Sequence, residues 1–261
     1  MEFIVVGLVA LAVSIASLFS GFGLGTVLMP AFALFFPLPV AIAATAVVHL
    51  ANNIFKVALV GRHADWKVVV RFALPAAIAA IAGAWLLVWL SWLPVPTSYH
   101  VEDRVFQVTI VKTAVGILII GFALFELVPG LKRLSFDSRL LPVGGIISGL
   151  LGGFSGNQGA LRSAFLIKSG LNPKAFIGTT TVSAVVVDLV RVPIYGASFY
   201  FKDGIHISAD LLWLVLTAII FAFLGSFIGS RLMGKIEIRM LQNIVGAMLI
   251  LVGLGLITGL I

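Results

Sequence analysis

Gly21-Phe22-Gly23-Leu24-Gly25 falls in the middle of an otherwise unbroken apolar stretch, residues 4–36. As one helix that stretch would measure about 50 Å at ~1.5 Å per residue, well beyond a bilayer core of ~30 Å. Glycine at every second position, with Pro30 beyond, predicts that the helix breaks there. A second stretch, residues 140–167, is interrupted in the same way by Gly149, Gly152, Gly153, Gly156 and Gly159. Discontinuous helices are tolerated at membrane depth only where they line a cavity or are buried in protein. The two breaks therefore decide the architecture.

Working outward, further apolar segments cover residues 40–60, 70–93, 105–128, 174–201, 211–233 and 241–261. The 261 residues are 61% hydrophobic and 10% charged, with a mean hydropathy of +1.20. Soluble domains carry roughly 25% charged residues. No extramembrane stretch is long enough for a soluble domain, so residues 1–261 read as a single membrane domain. The chain has no cysteine, which excludes disulfides, thiolate metal sites and cysteine nucleophiles. No metal or cofactor is expected. The start, Met1-Glu2-Phe3, lacks the basic region of a secretory signal and reads as a retained membrane segment. The net charge of +7 is spread over segment ends, not gathered in a basic run, so it describes topology and not nucleic-acid binding.

Charge also decides how the segments cross. If all eight were single spans, the flanking cations would divide evenly and define no orientation. If the two broken segments go in and come back, Arg62, Lys67, Arg71, Lys132, Arg133, Arg139, Lys168, Lys174, Arg231, Lys235 and Arg239 share one face. Only Arg104, Lys112 and Lys202 lie opposite. That asymmetry satisfies the positive-inside rule. The expected fold is an all-α polytopic membrane protein of two inverted repeats, 1–133 and 134–261. Each repeat is a broken-helix hairpin plus three transmembrane helices, in a cytoplasmic (inner) membrane with both termini outside. Matches at an offset of about 133–135 agree: Gly23 with Gly156, Leu28 with Leu161, Phe32 with Phe165, Leu38 with Leu171 and Thr45 with Thr179.

Polar residues inside these segments are costly and point to function. His49, Asn52, Asn53 and Lys56 fall at i, i+3, i+4 and i+7, one helical face. Thr181, Asp188, Arg191 and Tyr195 form a comparable stripe, and at offset 135 Asn53 matches Asp188 while Lys56 matches Arg191. Lys56, Arg191 and Arg162 are expected to supply positive potential for an anion. Asn52, Asn53, Asn157 and Gln158 are expected to orient its oxygens. Half-helices after Gly25 and Gly159, beside Gly23 and Gly156, would add free N–H groups. His49 and Asp188 are the candidates for carrying a coupling proton. Each group also has a structural reading: Lys56 snorkelling to the interface, Asp188–Arg191 as a plain ion pair, His49 bonding a neighbouring helix, Arg162 pairing with a carbonyl or Glu126.

The motifs Gly21 to Pro30, Ala44-Thr45, His63-Ala64-Asp65-Trp66, Gly153-Phe154-Ser155-Gly156, Gly159 and Gly178-Thr179 resemble the sulfite exporter TauE/SafE family. The resemblance covers both halves and implies a duplicated membrane domain carrying sulfur-containing anions, driven by an ion gradient. Ser163 stands where Pro30 would lead one to expect proline, and Asn157, Gln158 and Arg162 occupy the second break. The cargo is thus open between sulfite, another sulfonate and a carboxylated anion. The implied partners are a small anion, the lipid bilayer and a coupling proton or sodium ion, with a homodimer left open. An anion channel is the alternative. An intramembrane hydrolase is the distant one, because Gly153-Phe154-Ser155-Gly156 matches a G-x-S-G pattern, yet the only histidine after it is His206. No phosphate-binding loop is present for a primary pump, and no strand precedes the first glycine run for a dinucleotide fold.

Overall fold

The computed structural model describes residues 1–17, 24–102, 104–132, 134–203, 209–231 and 238–261. Gly23, Arg133, His206 and Lys235 lie outside them. Helices α1 (Glu2–Ala16) and α2 (Leu24–Ala33) are followed by α3 (Leu38–Val60), α4 (Trp66–Ser91), strands β1 (Thr97–Val101) and β2 (Arg104–Val108), and α5 (Ile110–Leu127). After the short α6 (Pro129–Lys132) come α7 (Leu141–Ser155), α8 (Gly159–Leu166), α9 (Pro173–Asp203), α10 (Ala209–Arg231) and α11 (Ile238–Ile257). Among the described residues, α3, α4, α9 and α10 are long and apolar enough to cross a membrane. Their outer surfaces fit that medium: Trp213 is 63% and Ile78 64% exposed, while Asp188 and Arg191 are fully buried. A soluble protein reverses that distribution.

Both long apolar stretches are broken, as their length requires. At 15 residues each, α1 and α7 are only about 22 Å long, short of a bilayer core. In the second half the chain visibly doubles back. Gly144 in α7 faces the Phe165 ring of α8, and Ser148 Oγ donates to the Gln158 carbonyl at 3.4 Å. Helix α2 likewise packs against α1.

The glycines of the second break divide into two kinds. Gly149, Gly152 and Gly153 do not interrupt the helix; they lie inside α7. Gly145, Gly149 and Gly153, one turn apart, press its backbone onto α4, where a methyl at Gly149 would stand 2.0 Å from the Ala76 carbonyl oxygen. Small residues at this spacing let membrane helices approach without a side chain between them. The break itself is Gly156-Asn157-Gln158, and Gly156 ends α7 in the left-handed region at φ +79°. Gly159 opens α8, and Gly25 lies in the first turn of α2.

One expected span starts later than its apolar stretch suggests. Residues 105–108 belong to an antiparallel hairpin, with Tyr99 paired to Phe106 in register and their rings stacked 5.4 Å apart. Alternating aromatic and β-branched residues fit a pleated surface. Thr109 then caps α5 by accepting from the Lys112 N–H. The hairpin is strapped to the end of α11 by the Tyr99 hydroxyl, which donates to the Thr258 carbonyl at 2.6 Å.

The helices pack largely in pairs. Helix α1 lies on α10 and α7 lies on α4; α3 faces α9, and α5 faces α11. The first turn of α2 reaches the second break, where a methyl at Gly25 would stand 2.9 Å from the Gly156 carbonyl oxygen. The start of α2 therefore meets the second break in the interior.

Candidate functional site

Around that meeting point the protein buries a set of charges that apolar surroundings would not tolerate singly. On α9, Asp188 and Arg191 sit one turn apart and form an ion pair, Arg191 Nε donating to Asp188 Oδ1 at 2.9 Å with Nη2 at 2.7 Å. The second carboxylate oxygen, Oδ2, accepts from His49 Nδ1 on α3 at 2.6 Å. With Nδ1 donating, the Asn53 amide nitrogen can donate to the other ring nitrogen, His49 Nε2, at 3.2 Å. Arg191 Nη1 continues the chain by donating to the Gly152 carbonyl in the last turn of α7, at 2.7 Å. One turn further along α9, the Tyr195 hydroxyl donates to the Gly153 carbonyl.

The α3 stripe, expected to act on one front, divides between two. His49 faces Asp188 on α9, and Asn53 bonds His49 one turn away on the same helix. Asn52 and Lys56 turn toward α1 and α10 instead. Asn52 Oδ1 accepts from Ser226 Oγ at 2.7 Å, and Lys56 Nζ donates to Ser17 Oγ at 2.7 Å. Ser17 in turn donates to the Ser14 carbonyl at 3.1 Å. Lys56 is only 5% exposed, so its ammonium ends inside the protein and not at a water interface.

Arg162 is the exception in this network. It is nine-tenths buried, yet its Nε and Nη1 have no hydrogen-bond partner among the described residues. Its charge is felt by Lys56 and His49, and it in turn feels Asp188 and Arg191, which places it in the same electrostatic neighbourhood. Both polar atoms of the Asn157 and Gln158 side chains, in the break before α8, are also buried and unpaired. Thr45 Oγ1 and Asn52 Nδ2 share that condition. A buried polar group without a partner costs about 1–3 kcal/mol, more if charged. Arg162, Asn157 and Gln158 lie within six residues of one another, in and just after the second break. Among the described residues, three buried cations, Lys56, Arg162 and Arg191, stand against one buried carboxylate, Asp188, a balance that favours an anion.

The structure thus joins His49, Asn53, Asp188 and Arg191 to the end of α7, turns Asn52 and Lys56 toward α10 and α1, and places Asn157, Gln158 and Arg162 in and just after the second break, between Gly156 and α8, which Gly159 opens. Sequence reasoning missed Ser17 and Ser226, which receive Lys56 and bond Asn52; a lone serine in an apolar helix carries no signal of its own. Ser155, the residue of the hydrolase reading, bonds its own helix: Oγ donates to the Leu151 carbonyl at 2.9 Å and accepts from the Asn157 N–H.

Apolar helices outside and a polar, charge-bearing centre within define a polytopic membrane protein. The chain belongs to the sulfite exporter TauE/SafE family, which it matches over residues 6–256. That is a family of transporters, not of enzymes. No curated protein and no solved structure matches the chain.

Proposed function

We propose that this protein is a secondary transporter of small anions, with sulfite and organosulfonates the first candidates, driven by a proton or sodium gradient across the inner membrane. The observation that carries the reading is Arg162, a buried guanidinium with unpartnered donors beside Asn157 and Gln158. An oxyanion would satisfy these groups together. Arg offers a planar donor fork suited to an oxyanion edge, and the amide groups would hold its remaining oxygens. Gly159 opens α8 there, so the first N–H groups of that helix add positive potential at the same place.

In this reading Lys56 and Arg191 contribute positive field, Asn52 and Asn53 line the first-half side, and His49 with Asp188 carries the coupling proton. The halves 1–133 and 134–261 are inverted repeats with both termini outside. The paired packing of α1 on α10 and α7 on α4 supports this arrangement, as does the contact of the start of α2 with the second break. The test is uptake and efflux of sulfite, sulfonates and small carboxylates in proteoliposomes under imposed proton and sodium gradients. Gradient-driven anion accumulation is expected, and Arg162→Met is expected to remove it. Flux that follows only the anion's own gradient would make the protein a channel.

A further inference from the structure

Lys56 and Arg191 occupy matching places, at offset 135, and each ends on the last turn of a broken helix. Arg191 Nη1 donates directly to the Gly152 carbonyl near the C-terminal end of α7. Lys56 Nζ donates to Ser17 Oγ, the residue that ends α1, and Ser17 passes the bond to the Ser14 carbonyl. We infer that these two cations are positioning residues, one for each broken helix, which hold the ends of α1 and α7 in place so that Arg162 is left to meet the anion.

The physical argument starts from what a helix end lacks. The last carbonyls of a helix have no intrahelical donor, and a terminus buried at membrane depth has no water to supply one. The aligned peptide dipoles also leave partial negative charge there, which a nearby cation offsets. A buried cation has the converse need. Arg191 adds a charged second donor to the Gly152 carbonyl, which also accepts from the Gly156 N–H at 3.0 Å, so its contribution there is to offset the dipole and fix the helix end. In the second half the brace is doubled, because the Tyr195 hydroxyl takes the neighbouring Gly153 carbonyl. Asp188 fixes the Arg191 guanidinium from the other side. Arg162 differs: two of its donors are unpaired, and no residue stands for it in the first half, where Val27, Leu28 and Met29 fall at offsets of about 133–135.

The absence of cysteine gives a clean test. Ser14→Cys reports on the end of α1 and Ser155→Cys on the end of α7; both positions are fully buried. Their reaction rates with a methanethiosulfonate reagent are measured in proteoliposomes. Lys56→Gln is expected to speed labelling at Ser14→Cys roughly ten-fold, within the range that loss of a helix-end charge allows, and to leave Ser155→Cys unchanged. Arg191→Gln is expected to do the reverse, and Lys56→Arg and Arg191→Lys to restore the parent rates. Milder variants carry the same test if the glutamine forms do not assemble. Ser17→Ala and Tyr195→Phe each remove one contact and should speed labelling at their own end by about three-fold. Labelling unchanged in all of these would overturn the assignment.

A kinetic arm rests on the anion-transport reading. Positioning residues lower the maximal rate of sulfite transport, while Arg191→Lys and Lys56→Arg keep KM within about two-fold. A ten-fold rise in KM with labelling unchanged would make them anion ligands instead. If sulfite is not carried at all, the labelling rates still decide the inference.

Discussion

The two broken helices share a plan and differ in chemistry. Each is about 22 Å of apolar helix that stops inside the protein, is followed by a shorter helix packed against it, and has its end held by a cation from the next long helix. In the first half the hold is a lysine on a serine hydroxyl, with neutral Asn53 where the second half has Asp188. In the second half the hold is an arginine locked by that carboxylate, and the break carries the unpaired Asn157, Gln158 and Arg162. On the proposed repeat arrangement, similar frameworks in the two halves support a site built mainly on the second. Shared features describe how the breaks are kept; unshared ones describe what they are for.

The largest expected effect probes the ionic difference. Asp188→Asn leaves Arg191 buried without its counter-charge and should lower stability by about 3–5 kcal/mol, read as a melting shift in detergent. The counterpart Asn53→Ala should cost only about 1 kcal/mol, the ordinary value for a neutral hydrogen bond. Equal shifts would erase the distinction between the halves.

Next comes the anion contact. Arg162→Met is expected to reduce sulfite transport about 100-fold, equivalent to losing one good charged hydrogen-bonding group. Met29→Leu, near the matching place in the first half, should change it less than two-fold, since volume-conserving apolar exchanges are tolerated. Initial rates in proteoliposomes at matched protein density measure both.

The third comparison concerns packing. A methyl at Gly149 would stand 2.0 Å from the Ala76 carbonyl oxygen, so Gly149→Ala must push α7 off α4, at about 1–3 kcal/mol. A methyl at Gly7 in α1 would stand 3.5 Å from the Phe221 ring, an ordinary contact. Thermal melting of Gly7→Ala should match the parent within about 0.5 kcal/mol. The smallest effect is Asn157→Ala, expected to raise KM for sulfite about five-fold without loss of stability, because its side-chain amide has no partner among the described residues.

Much of this was legible before any coordinates. Stretches too long to span and rich in glycine announce breaks, and ionisable residues in apolar helices announce a buried centre. The limits are equally physical. Glycine both ends helices and lets them touch, so Gly149 and Gly153 look like Gly156 in sequence while doing opposite things. A helical stripe about one face wide cannot tell which neighbour each member meets, which is why His49 and Lys56 part company. The β1–β2 hairpin hid at the edge of an apolar run, because Val105 and Val108 suit a strand as well as a membrane helix. Ser17 could not be recognised at all, since its importance comes from Lys56, which is distant in sequence.

The hairpin has one more implication. It joins α4 to α5 and is tied across the end of α11 by Tyr99, while Gly259 lies so close that a methyl there would stand 2.7 Å from the Gln107 carbonyl oxygen. Farther along, a methyl at Gly116 in α5 would stand 2.7 Å from the Gly253 carbonyl oxygen of α11. Two rods touching backbone to backbone and lashed at one tip cannot slide past each other. Whatever motion the other helices undergo, α5 and α11 are built to move, or stay still, as one body.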